Sequence, residues 1–183
     1  MTGIVKDGFL TEEEIEYINT TVLSENDIDF PWYLSNGATP YQNTPFLTHT
    51  IVAREGSEMD VHSEHHGFFV SLLERYCDEN NIELNKIHRM CINLTLSNTD
   101  KEFFAAPHAD HDFEHNNLII YLNDSSGDTV LFGRGAYQRG ITPVTQRVTP
   151  KQGRTLLFDG LSWHTGEPPK GDDKRIIIVS TFT

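Results

Sequence analysis

The spacing of hydrophobic residues changes period partway along this chain. Near the start, Ile15, Ile18 and Val22 recur at helical spacing. Thr11, with Glu14 three residues on, forms a capping box, and Leu10 and Ile15 can close over it as a hydrophobic staple. A lead-in strand and then a helix beginning at Thr11 are predicted. Phe68, Phe69, Leu72, Leu73 and Tyr76 form a second helical stripe. It predicts a helix over about 67–80, ended by Asn80-Asn81. Between the helices, 46–53 reads as a strand. The stretch 29–45 is rich in Pro, Gly, Asn and aromatics and reads as a structured loop or edge region, placed to act as a lid.

From His88 the period becomes two. Arg89, Cys91, Asn93 and Thr95 alternate with Met90, Ile92, Leu94 and Leu96, one face polar and one apolar. Further strands are expected at 106–110, 117–122, 129–132, 146–149, 155–158 and 175–182, separated by Asn-, Asp-, Gly- and Pro-rich turns. Helices first and evenly spaced short strands afterwards predict a mainly β, α+β architecture. The expected form is a double-stranded β-helix, or jelly roll, with N-terminal helices packed on one sheet. The chain of 183 residues reads as one domain over 1–183, with 1–87 as helical support and substrate-side elements and 88–183 as the jelly-roll core.

Composition narrows the partners. Hydrophobic residues at 37% and aromatics at 10% are ordinary for a globular protein. The net charge of −13 opposes a polyanion, so a nucleic-acid partner is not expected. Cys77 and Cys91 read as free thiols in a reducing cytoplasm. No signal peptide and no apolar run long enough for a membrane span are visible.

The candidate chemistry lies in His108-Ala109-Asp110, followed much later by His164 and Arg175. On a strand, residues i and i+2 face the same side, so His108 and Asp110 point together. Two imidazoles and one carboxylate can occupy one face of an iron ion and leave the other open. Arg175 offers a permanently charged fork for the far end of a dicarboxylate. Blander readings stand beside these. Residues 108–115 hold three histidines and three acids and can be a solvated loop. His111 and His115 lack the spacing of a zinc peptidase, and a cupin would want His-x-His. Arg175 can be a surface residue after Asp172-Asp173. His62, Glu64, His65 and His66 read as a solvated lead-in to the second helix rather than a second metal site. Residues 123–128 read as a turn between strands rather than a calcium loop.

Several segments, in order, resemble the 2-oxoglutarate and Fe(II)-dependent oxygenases of the prolyl-4-hydroxylase-like branch, small phage-type members included. They are Gly8-Phe9-Leu10-Thr11 with Glu14, Pro107-His108-Ala109-Asp110, Ile119-Ile120-Tyr121-Leu122-Asn123-Asp124, Gly127-Asp128-Thr129, Gly153-Arg154-Thr155-Leu156-Leu157-Phe158 leading to His164, and Lys174-Arg175. The likeness is tightest over 107–176 and loosest over 25–85, where elements that choose a substrate would lie.

The resemblance implies His108, Asp110 and His164 as Fe(II) ligands. It implies 2-oxoglutarate as co-substrate, held by Arg175 and Tyr121, with O2 as the second co-substrate and ascorbate as an accessory reductant. Asn93, on the polar face of its strand, is expected to reach the keto-acid end, with Arg89 beside it; Trp163, Phe103 and Phe104 are candidate pocket walls. Retention of Asp110 favours hydroxylation over the halogenation of relatives that lack this carboxylate. The expected substrate is a peptidyl residue such as proline, with a small molecule or free amino acid as the alternative. Nucleic-acid demethylation is disfavoured, because Ile176-Ile177-Ile178-Val179-Ser180 supplies no second arginine. A non-catalytic metal-binding jelly roll remains a third class.

Overall fold

The computed structural model describes residues 2–24, 30–36, 45–57, 63–97, 105–135 and 137–183. Its elements in chain order are β1 (Ile4–Lys6), α1 (Glu12–Thr21), β2 (Tyr33–Ser35), β3 (Phe46–Val52), α2 (His66–Glu79), β4 (Ile87–Leu96), β5 (Asn116–Tyr121), β6 (Thr129–Gly133), β7 (Gln146–Val148), β8 (Thr155–Asp159), β9 (Trp163–Gly166) and β10 (Lys174–Phe182). The α1 capping box is formed: Glu14 N donates to Thr11 Oγ1 at 3.2 Å and Thr11 N to Glu14 Oε2 at 2.8 Å. Beyond α2, Asn81 turns the chain at φ 53°, a left-handed conformation that asparagine tolerates.

Seven strands form one sheet in the order β1-β8-β5-β10-β4-β3-β2, and three form a second, β7-β6-β9. All recorded pairings are antiparallel, as a jelly roll requires. Period two sorts the large sheet's side chains into two cores. Leu118, Ile120, Ile176, Ile178, Met90 and Ile92 face outward and pack with Ile18, Phe69, Leu72, Leu73 and Tyr76 of the helices. Ile119, Tyr121, Ile177 and Val179 face inward and meet Leu131, Val148, Leu156 and Phe158 between the sheets. Both faces of β5 and β10 are therefore buried, which explains their near-continuous apolar sequence. Cys77 and Cys91 are buried free thiols.

Four details depart from the expectations. Residues 106–110 form no strand; the segment makes a single bridge, His108 to His164. Carbonyls along 105–110 are taken by side chains instead of a ladder: Thr165 Oγ1 bonds Ala105 O at 2.5 Å, His108 Nδ1 bonds Ala106 O at 2.9 Å, and Arg54 bonds Asp110 O at 3.0 Å. Second, Trp163–Gly166, outside the strands expected from the sequence, is strand β9, recruited by β6. Third, within 29–45, residues Tyr33–Ser35 form an edge strand on β3, whereas 37–44 lie outside the described residues, as do His62, Phe103 and Phe104. Fourth, His65 is not merely solvated. Its Nδ1 meets Tyr17 Oη at 2.8 Å and its ring stacks on Phe30. The supporting half also reaches into the sheet, supplying β1, β2 and β3.

Candidate active site

The bridge between His108 and His164 sets the site. His108 N donates to His164 O at 3.0 Å, and His164 N to His108 O at 2.9 Å, so the two backbones are locked side by side. Each ring then turns back on its own chain. His108 Nδ1 meets Ala106 O at 2.9 Å and His164 Nδ1 meets Ser162 O at 3.1 Å. A carbonyl accepts, so each Nδ1 carries a proton, which makes Nε2 the nitrogen of each ring that can offer a lone pair to a ligand. Asp110 completes the group: one ligand atom from each of His108, Asp110 and His164 lies within 4.8 Å of the others.

Asp110 is heavily supported. Asn117 Nδ2 donates to Oδ2 at 2.9 Å, His164 Nε2 lies 3.4 Å from the same oxygen, and Arg54 and Arg89 each reach Oδ1 at 3.5 Å. Burial alone would raise the Asp110 carboxyl, but His164, Arg89 and His108 outweigh it and hold the group well below the usual carboxylate range. Burial, reinforced by the neighbouring His164, pushes the His108 imidazole down to about 4. At neutral pH the carboxylate is charged and His108 is neutral, the states a metal needs. The donor set therefore fits a divalent cation of the iron type, with one face open to the cavity.

That cavity, about 450 Å³, runs inward from the triad to Arg175. Ile119, Ile177 and Val179 wall it, and Asn93, Thr95 and Thr129 line it. Arg175 is 5% exposed. Its Nε donates to Gly127 O at 2.9 Å and its Nη2 to Thr129 Oγ1 at 2.7 Å. Among the described residues no carboxylate lies within 4.0 Å of it, and burial pushes the guanidinium below its ordinary value. A buried cation without a counter-ion costs several kcal/mol, so this end of the cavity calls for an anion. Gly127 gives the chain room beside Arg175: a Cβ on it would come within 2.6 Å of Glu167 O and 3.2 Å of Arg175 Cδ.

Tyr121 and Asn93 sit differently. Tyr121 is fully buried behind the cavity, and its hydroxyl donates to Thr129 Oγ1 at 2.7 Å. Asn93 lines the cavity, with its Oδ1 taken by Thr48 Oγ1 at 2.9 Å. Thr129 was not singled out from the sequence. Its oxygen accepts from both Tyr121 and Arg175, which leaves its hydroxyl hydrogen to point into the cavity. Arg54 and Asn117 were also missed. Nothing marks a loop arginine, but Asn117 on an apolar strand was a legible irregularity. Trp163 stacks on Tyr137 and lines a shallower outer groove with His108, Leu161 and Arg134.

The fold is that of the 2-oxoglutarate/Fe(II) oxygenases, by comparison with solved structures. A Burkholderia pseudomallei oxidoreductase of the 2OG-Fe(II) oxygenase family superposes with a TM-score of 0.73 at 16% identity, over 100% of this chain and 85% of that one. A Trichoplax adhaerens prolyl hydroxylase, in complex with a hypoxia-inducible-factor oxygen degradation domain peptide fragment, gives 0.66 at 15% identity, over 99% and 83%. A Pseudomonas putida prolyl-4-hydroxylase gives 0.62 at 13% identity, over 99% and 92%. No protein-family model and no curated protein sequence matches the chain.

Proposed function

We propose that this protein is a 2-oxoglutarate-dependent Fe(II) dioxygenase that hydroxylates an unactivated C–H bond, with His108, Asp110 and His164 as the iron ligands. One observation carries the reading: a metal-competent triad and a buried guanidinium lacking a carboxylate partner face each other across one cavity. Iron(II) bound at the triad supplies the activation of O2 that couples decarboxylation of 2-oxoglutarate to C–H oxidation. One oxygen atom enters the substrate as hydroxyl and the other enters succinate, and CO2 leaves. Arg175 takes the distal carboxylate of 2-oxoglutarate, and Thr129 donates a second hydrogen bond to it. Tyr121 fixes the orientation of Thr129 from behind. Asn93 lies toward the keto-acid end. The apolar wall of Ile119, Ile177 and Val179 excludes water from the methylenes.

The substrate favoured by the kinship of fold is a peptidyl residue such as proline, because two of the superposed structures are prolyl hydroxylases. The open groove past His108 and Trp163 suits an extended chain. A small molecule or free amino acid is the second reading, favoured by the two arginines at the mouth of the cavity. The test is an anaerobic absorption spectrum of the protein with Fe(II) and 2-oxoglutarate. A weak visible charge-transfer band is expected from the chelated keto acid, and its absence sinks the assignment. A peptide screen for a gain of one oxygen by mass then addresses the substrate.

A further inference from the structure

Arg54 and Arg89 both approach Asp110 Oδ1 at 3.5 Å, the outer limit of an ion-paired hydrogen bond. Arg54 spends a better bond on the Asp110 carbonyl, at 3.0 Å. One carboxylate oxygen therefore holds two guanidinium groups side by side, neither of them at close range. Both line the cavity, and Arg54 also borders the outer groove. Their side chains are 47% and 24% exposed. Among the described residues lining the cavity, Asp110 is the one acid facing Arg54, Arg89 and Arg175. In a chain of net charge −13, this is a local inversion of sign.

Charge accounting extends the point and rests on the oxygenase reading above. A divalent cation and a dicarboxylate cancel each other. Asp110 then offsets one of the three guanidinium groups, and two positive charges remain over the cavity as a whole. We infer that the substrate carries a carboxylate that seats between Arg54 and Arg89, within a few bonds of the carbon that reacts. The closeness of both arginines to a metal ligand sets that short reach. The carboxylate comes from a free amino acid or from the end of a peptide.

The experiment uses the whole protein loaded with zinc in place of iron and held with 2-oxoglutarate, so that binding is read without turnover. Ligand-observed NMR compares free L-amino acids, proline among them, with their carboxamides. N-acetyl dipeptides with a free C-terminus are compared with the same dipeptides amidated. At least one acid is expected to bind about tenfold more tightly than its amide, the worth of one charge-assisted hydrogen bond. Arg54→Gln is expected to erase that preference and Arg54→Lys to keep part of it. A response confined to the amino acids assigns a small molecule, and one confined to the dipeptides a peptide terminus. Equal binding of acids and amides, tighter binding of amides, or no binding by any panel member overturns the seat. So does an Arg54→Gln or Arg89→Gln variant that weakens 2-oxoglutarate and leaves the preference intact. If the iron-loaded protein releases no succinate while the preference stands, the oxygenase reading has failed and the seat has not.

Discussion

The two ends of the cavity are built in opposite senses. At the triad end, lone pairs converge: two Nε2 atoms and a carboxylate, all buried or nearly so. At the Arg175 end, hydrogens converge: a guanidinium and the Thr129 hydroxyl, with no carboxylate among the described residues within 4.0 Å of the guanidinium. One end invites a cation and the other an anion. Orientation is therefore set before any ligand enters. A dicarboxylate whose near end chelates a metal has one direction in which its far end meets a partner.

Breaking the triad end is expected to have the largest effect. Asp110→Ala or His108→Ala should lower turnover by more than about a hundredfold, since losing even a residue that only orients a metal ligand costs about ten- to a hundredfold. Circular dichroism should remain native-like and iron content should fall. Full succinate release by either variant contradicts the ligand assignment.

A pH titration of the metal-free protein separates the ends next. The fold holds His108 at about 4, below its unfolded value of 6.5. As pH falls, the unfolded chain takes up that proton first. Stability from this group is complete above pH 6.5 and lost between there and about pH 4, by roughly 3 kcal/mol. Denaturant midpoints across that window should decline in the wild type and decline less in His108→Ala. Arg175 stays charged throughout, so Arg175→Ala should leave the slope standing.

Arg175→Ala should raise the half-saturating 2-oxoglutarate concentration by about ten- to a hundredfold, the value of a charged hydrogen-bond pair. Iron affinity should change far less. An unchanged 2-oxoglutarate titration removes Arg175 from the co-substrate site. Tyr121→Phe is the mildest probe. It touches the anion end only through Thr129, so the same constant should rise by about two- to tenfold. Thr129→Val should exceed it.

Where local rules decide, the sequence was readable. The capping box at Thr11 and Glu14, the α2 stripe and the alternation along β4 each follow from spacing alone, whereas β10, buried on both faces, is a near-continuous apolar run. His108, Asp110 and His164 were legible as residues that could meet, and the fold brings one ligand atom of each within 4.8 Å of the others. Their backbone was less so. Residues 106–110 alternate like a strand, yet the carbonyls of Ala105, Ala106 and Asp110 are claimed by Thr165, His108 and Arg54. Trp163–Gly166 is only four residues long and ends in glycine, and it pairs because β6 offers it an edge. Arg54, Thr129 and the Tyr17–His65–Phe30 contacts are tertiary, and no local pattern announces them.

Arg175 also has a part in keeping the fold in register. It shares the inward face of β10 with Ile177 and Val179, while Ile176 and Ile178 face the helices. A slip of one residue against β4 and β5 would send every side chain to the opposite side. The guanidinium would then be stranded in oil beneath α2. The apolar residues around it, nearly interchangeable among themselves, carry little information about alignment. Arg175 is the one charged residue of β10 that is buried, so it marks the alignment that the apolar run leaves open.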